Sequence, residues 1–149
     1  MTLTVLLCTD GSEAALNALA AGITVLGAAD RTVIATVIEP GDPTLVTGTG
    51  MAAGVMSAAD FDRMEQDRAT AAQATLDAAV SALRLPDAET LAVVGAPGPT
   101  LCELAVGLPA SVIVLGTRGH GGLRRAVLGS VSDHVVRNAP CPVLTIGLE

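Results

Sequence analysis

The sequence predicts an α/β fold, an open five-stranded parallel sheet with helices on both faces. Short β-branched runs alternate with helical segments in the order βαβαβαβαβ. The strand runs are apolar almost throughout, as suits strands covered on both faces. A glycine-rich loop follows directly on one run, at the kind of strand end where open α/β sheets bind ligands.

Leu3 to Cys8 is a continuous apolar run with one threonine, consistent with a central strand. Thr9-Asp10-Gly11-Ser12-Glu13 is a turn with helix-start residues, Ser12 being a suitable N-cap. Leu16, Leu19, Ala20, Ile23 and Leu26 recur at helical spacing and predict a helix from Glu13 to about Ala28. Thr32 to Ile38 is a second strand, and strand–helix–strand implies a right-handed parallel crossover. Glu39 to Ala59 breaks the pattern with Pro40, Pro43 and four glycines. It reads as a long mobile loop with room for a short helical turn, either functional or an insertion without a role.

Asp60 to Leu83 carries Phe61, Met64, Ala71, Leu76, Val80 and Leu83 on one stripe. Its acids come early and Arg84 late, an order that suits the helix dipole. Glu89 to Gly95 is a third strand, and Pro97 to Val106 a third helix with proline at its start. Val112 to Leu115 is the fourth strand. After the glycine loop, a helix from about Ser130 to Asn138 leads past Pro140 to a fifth strand, Cys141 to Ile146.

Length and composition predict a single domain over residues 1–149, with no internal repeat. Half the residues are apolar and Phe61 is the one aromatic, so the core must pack aliphatic side chains. No apolar run approaches the ~18 residues needed to span a bilayer. The start Met1-Thr2-Leu3-Thr4 lacks the basic region of a signal peptide, and a cytoplasmic location is expected. Cys8, Cys102 and Cys141 fit no metal-ligand spacing and read as small apolar packing residues kept reduced.

The net charge of −7 argues against nucleic acid as a partner. Residues 112–149 hold four of the eight arginines but only Asp133 and Glu149 as acids, a net of +2, which leaves −9 for the remainder. The chain has no lysine, which removes P-loop, Schiff-base and kinase-lysine chemistry together.

Positive charge thus gathers around Gly116, Gly119, Gly121 and Gly122, with Arg118, Arg124 and Arg125. Glycines let the backbone approach a ligand closely, and successive N–H groups in such a loop form a nest for phosphate oxygens. A helix opening at Gly129-Ser130 adds N–H donors and the positive dipole end, and Ser130 and Ser132 add hydroxyls. The plainer reading is a glycine-rich connection with an ordinary serine cap. Asp10, just past strand 1, can bind ribose hydroxyls or Mg²⁺ beside phosphates, or simply form an Asp-Gly turn. His120 and His134 have no paired nucleophile, and Ser130 lacks a GxSxG setting, so no catalytic set is assigned.

Gly116-x2-Gly119-x9-Gly129-Ser130, followed by Val131-Ser132 and Asn138-Ala139-Pro140-Cys141-Pro142-Val143-Leu144, resembles the universal stress protein family in its ATP-binding branch. The resemblance implies a Rossmann-like sheet of strand order 3-2-1-4-5, which would set Asp10 beside Gly116. It implies a site of Thr9, Asp10, Val37, Gly95, Gly116, Arg118, Gly119, Gly129, Ser130, Val131 and Ser132. Phosphates would lie on the glycine loop and the serines, ribose or metal on Asp10, and adenine by Val37. From its pattern alone, Val37 reads equally as core, and Gly95-Ala96-Pro97 as a strand end and helix start. Where the family often has aspartate before strand 4, this chain has Ser111, which is expected to cap or end a loop.

The implied protein is a cytoplasmic, ATP-binding stress-response regulator, with Mg²⁺ accompanying the nucleotide. It would form a homodimer through the last strand, Pro142 to Ile146. The alternatives are a ligand-free protein-interaction module of the same fold and a slow ATP-hydrolysing enzyme. The intact glycine spacing disfavours the first, and the lack of lysine and of a clear base disfavours the second.

Overall fold

Each predicted strand forms, and each is short: β1 (Thr4–Cys8), β2 (Arg31–Ile38), β3 (Glu89–Val94), β4 (Val112–Gly116) and β5 (Val143–Ile146). The computed structural model of the chain describes residues 1–47, 55–118 and 128–147. The strands pair in parallel in the order β3-β2-β1-β4-β5. In register, Val5 lies opposite Thr32 on one side and Val112 on the other.

Alternation along the strands divides the core in two. Leu6, Cys8, Val33, Ala35, Ile113 and Leu115 point to one face, where they meet Leu101 and Ala105 of α4 (Pro97–Gly107) and Val135 of α5 (Ser130–Asn138). Val5, Leu7, Ile34, Val112 and Val114 point to the other. There they meet Leu19 of α1 (Glu13–Leu26) and Leu76 and Ala79 of α3 (Ala58–Leu83). This is the period of two expected of a pleated strand, repeated across three central strands.

The helix ends have local causes. Ser12 caps α1 by accepting from the Ala15 N–H at 3.1 Å, and Gly27 ends it at φ 74°, donating to Ile23 O at 2.9 Å. A positive φ is cheap for glycine and closes the last turn. Ser57 caps α3 in the same way, accepting from Asp60 N–H at 3.1 Å, so the helix starts at Ala58 rather than Asp60. Arg84 lies just past the helix, in the left-handed C-cap position. The fifth strand starts at Val143, two residues later than expected, with Pro142 before it.

In the segment after β2 a single-turn helix, α2 (Thr44–Thr47), forms, with Asp42 Oδ1 accepting from Thr44 N–H at 2.9 Å and Thr44 Oγ1 at 2.7 Å. Those bonds hold the Asp42 carboxyl below its usual range. Residues 48–54 of the expected loop lie outside the described residues. At the amino ends of the strands, Ser111 N–H donates to Thr4 O at 2.8 Å and Ser111 Oγ accepts from Thr4 N–H at 3.1 Å. Ser111 therefore joins β4 to β1 at the end of the strands remote from Gly116.

Candidate functional site: the cleft at the strand carboxyl ends

Strand order places β1 beside β4, and their connections run to opposite faces: β1 continues into α1, β4 towards α5. Between such strands the chain diverges and leaves a crevice. Here that crevice is a cleft of about 510 Å³. It is lined by Thr9 and Asp10 after β1, Thr36 and Val37 of β2, Gly116 at the end of β4 with Thr117 and Arg118 after it, and Leu128 to Ser132 at the start of α5.

The walls are fixed by backbone bonds. Thr9 N–H donates to Ala35 O at 3.0 Å, locking the end of β1 to β2. Thr9 Oγ1 accepts from Gly11 N–H at 3.0 Å and Asp10 Oδ1 accepts from Ser12 N–H at 2.9 Å, so both side chains shape the turn into α1. On the far side, Thr117 N–H donates to Ile146 O and Thr117 O accepts from Gly129 N–H, each at 3.0 Å. The start of α5 is thereby held against the end of β4.

Glycine keeps this closure uncrowded. A Cβ on Gly129 would stand 3.0 Å from Thr117 O, and one on Gly116 would stand 3.1 Å from Ala18 Cβ of α1. Gly129 is also the N-cap of α5, without a side-chain cap bond. Helical geometry leaves the first-turn N–H groups of Ser130, Val131 and Ser132 with no intrahelical acceptor, at the positive end of the dipole. This edge of the cleft is suited to an anion.

Ser132 is buried, and its hydroxyl donates to Gly129 O at 3.0 Å. Its hydroxyl proton thus serves the helix start, and towards the cleft Ser132 offers its backbone N–H. Ser130 is exposed at the mouth. The nearby start of α4 is a poor anion site by contrast. Pro97 and Pro99 lack N–H groups, and Pro97 with Leu101 supplies apolar wall instead.

The floor is apolar: Cys8, Ala15, Ala35, Leu101 and Leu115 lie beneath the polar rim. Burial pushes the Cys8 thiol far above its ordinary value, so it is a packing group and not a nucleophile. Cys102 and Cys141, distant in sequence, pack against the same core cluster and are also raised by burial. All three are free thiols.

Of the residues the sequence predicts for the site, Thr9, Asp10, Val37, Gly116, Arg118, Gly129, Ser130, Val131 and Ser132 line this one cleft. Gly119 lies outside the described residues, as do His120, Arg124 and Arg125. The structure does not bring Gly95 to the cleft. Its N–H donates to Ile38 O at 3.0 Å, and a Cβ there would collide with Thr100 Oγ1, so Gly95 serves the β3–α4 turn. His134 is half-buried, its ring packed over Gly98, where a Cβ would stand 2.7 Å from Cγ.

Sequence reasoning missed Thr36, Glu39, Pro97, Leu101 and Thr117. Thr117 had a readable signal, adjacency to Gly116 at a strand end; Leu101 had none, because an apolar helical residue looks like core whichever cavity it faces. Among the described residues no cluster of three or more His, Cys, Asp or Glu could hold a metal by itself. No described helix is long and apolar enough to cross a membrane.

An open, five-stranded parallel sheet with helices on both faces and a cleft where strand order reverses defines a Rossmann-like α/β domain. The family model described as the universal stress protein family matches residues 1–147, and the chain belongs to that family. A universal stress protein of Thermus aquaticus is 35% identical over 86 residues, 58% of this chain and 63% of that protein. The aligned stretch thus spans under two thirds of that relative's length.

Among solved structures, the protein MJ0577 superposes with a TM-score of 0.77 at 18% identity, over 100% of this chain and 98% of that one. A universal stress protein solved in complex with cAMP superposes with a TM-score of 0.63 at 26% identity, over 98% of this chain and 97% of that one.

Proposed function

We propose that this chain is an adenine-nucleotide-binding regulator of the stress response, with ATP as the ligand. The observation that carries the reading is the closure of Gly129 onto Thr117. It brings the uncapped first turn of α5 to the same cleft as Asp10 and Val37. An anion-seeking edge, a carboxylate and an apolar wall in one crevice match the phosphates, ribose and base of a nucleotide. The cAMP complex of a structural relative supports an adenine ligand.

In this reading the N–H groups of Ser130, Val131 and Ser132, the Ser130 hydroxyl, Arg118 and the glycine loop through Gly119 hold the phosphates. Asp10 holds the ribose hydroxyls or Mg²⁺, and Thr9 and Val37 border the nucleoside. Mg²⁺ fits as an ion carried by the phosphates, because Asp10 supplies hard oxygen ligands without the further acids that a resident site needs. The protein works in the cytoplasm as a homodimer joined along the edge strand β5. Its output is a bound state and not a turned-over product.

The chain contains no Trp and no Tyr, so the freshly purified, tag-free protein is nearly transparent near 280 nm. Co-purified nucleotide is expected as an absorbance band near ~260 nm, released by heat and identified by mass. Calorimetry with ATP and Mg²⁺ should then give binding that Gly129→Val weakens by more than about tenfold. A blank spectrum together with no heat of ATP binding would overturn the reading in favour of a ligand-free interaction module.

A further inference from the structure

We propose that Glu65 and Arg68 of α3 are positioning residues that clamp the outer wall of the cleft and set its affinity for the base-bearing end of a nucleotide. This rests on the nucleotide reading above and extends it to a helix that lines none of the cleft. The chain leaves the sheet at Ile38, directly after Thr36 and Val37, and Glu39 still lines the cleft. Beyond that point the strand ladder no longer holds the backbone, and Pro40 has no N–H to donate.

The missing support comes from α3. Arg68 Nη1 donates to Glu39 O at 2.9 Å, and Gly41 N–H donates to Glu65 Oε1 at 3.1 Å. Glu65 and Arg68 also pair with each other at 3.6 Å, one helical turn apart. The wall is therefore gripped on both sides of Pro40 by two side chains that brace one another.

Gly41 makes the approach feasible. A Cβ there would stand 2.6 Å from Glu65 Oε1 and 3.1 Å from Phe61 Cε2, so the strap lies directly on α3 with Phe61, the chain's one aromatic, beneath it. With the clamp intact the wall is ordered before a ligand arrives. Without it, a base entering beside Val37 must order the segment itself, and that cost falls on base-bearing ligands alone.

The test compares wild type with Arg68→Met, Glu65→Met, Gly41→Val and Arg68→Lys. Binding of ATP with Mg²⁺ is measured by calorimetry, and of inorganic triphosphate by competition against ATP. The expected result is an ATP Kd raised about tenfold in both methionine variants and in Gly41→Val, partial recovery in Arg68→Lys, and an unchanged triphosphate constant. The two methionine changes shift net charge in opposite directions, so a shared loss cannot come from long-range charge. Unaltered ATP affinity in both, or equal weakening of ATP and triphosphate, would overturn the clamp. Wild type that binds triphosphate but shows no gain from the base would overturn it as well. If wild type binds neither ligand, it is the nucleotide reading that fails, and the clamp fails with it.

Discussion

Cys8 ends β1 at the floor of the cleft, and at 6% exposure its thiolate would have little water to stabilise it. Folding therefore raises this thiol well above its ordinary 9.0, and desolvation is the main cause. Once pH passes 9.0 the unfolded chain has released a proton that the folded chain still holds, so stability falls as pH rises; below 9.0 the effect is absent. With neither lysine nor tyrosine in the chain, the side chains that share this range are the thiols of Cys102 and Cys141, so the Cys8 share is read as the difference between wild type and Cys8→Ala. Urea midpoints in reducing buffer should decline from pH 9 upward. Cys8→Ala should flatten the decline by about 1.4 kcal/mol per pH unit, from a lower starting stability. Parallel slopes for the two proteins would show that the thiol is not the titrating group. At this scale the site was legible where residues break a strand: Thr9, Asp10, Gly116 and Gly129 announce turns that the fold gathers together. Gly95 announces a turn equally well, but its turn faces Thr100, and nothing in a glycine says which way the chain will bend.

Among the elements, α1 shows how closely helices and sheet must approach to shape the cleft. A Cβ on Gly22 would stand 2.6 Å from Val114 Cγ1 and 2.8 Å from Ile146 Cδ1, so the helix rests directly on β4 and β5. Gly22→Val should cost about 1–3 kcal/mol, because the Cβ itself meets both side chains and valine's branches add bulk beyond it. Thermal or urea unfolding measures it, and an unchanged midpoint would mean that α1 can lift without penalty. The five strands and the long helices were readable because apolar spacing records which face is buried. Their ends were readable only in part. Ser57 caps α3 from within a stretch whose prolines and glycines mask any period, and α2 is too short to have one. The Glu65–Arg68 clamp left no trace in the sequence, since an acid and a base three apart on a helix are usually solvent-facing neighbours.

For the whole molecule, strand order was not in the pattern of apolar runs. Alternation specifies an open parallel sheet, whereas the placing of β1 between β2 and β4 came from family resemblance and is what makes one cleft from four segments. β5 is an edge strand whose four residues are all half-buried, with Leu144 and Ile146 packed on the α1–α3 face and Val143 on the α4–α5 face. Sedimentation at micromolar concentration should give a two-chain species. A wild-type protein that sediments as a single chain would remove the dimer.

Thr117 gives β5 a second role. Its N–H is held by the Ile146 carbonyl and its own carbonyl holds the Gly129 N–H, so two bonds in series join the end of the last strand to the first turn of α5. Gly147 continues this contact, with room for a Cβ only 3.2 Å from Thr117 Oγ1. Ile146 and Gly147 thus help to hold the cleft in place. A fusion joined immediately after Ile146, or a circular permutation that opens the chain there, would pull on the cradle itself. A break placed near Asp30, at the other end of the strands, would leave that linkage intact.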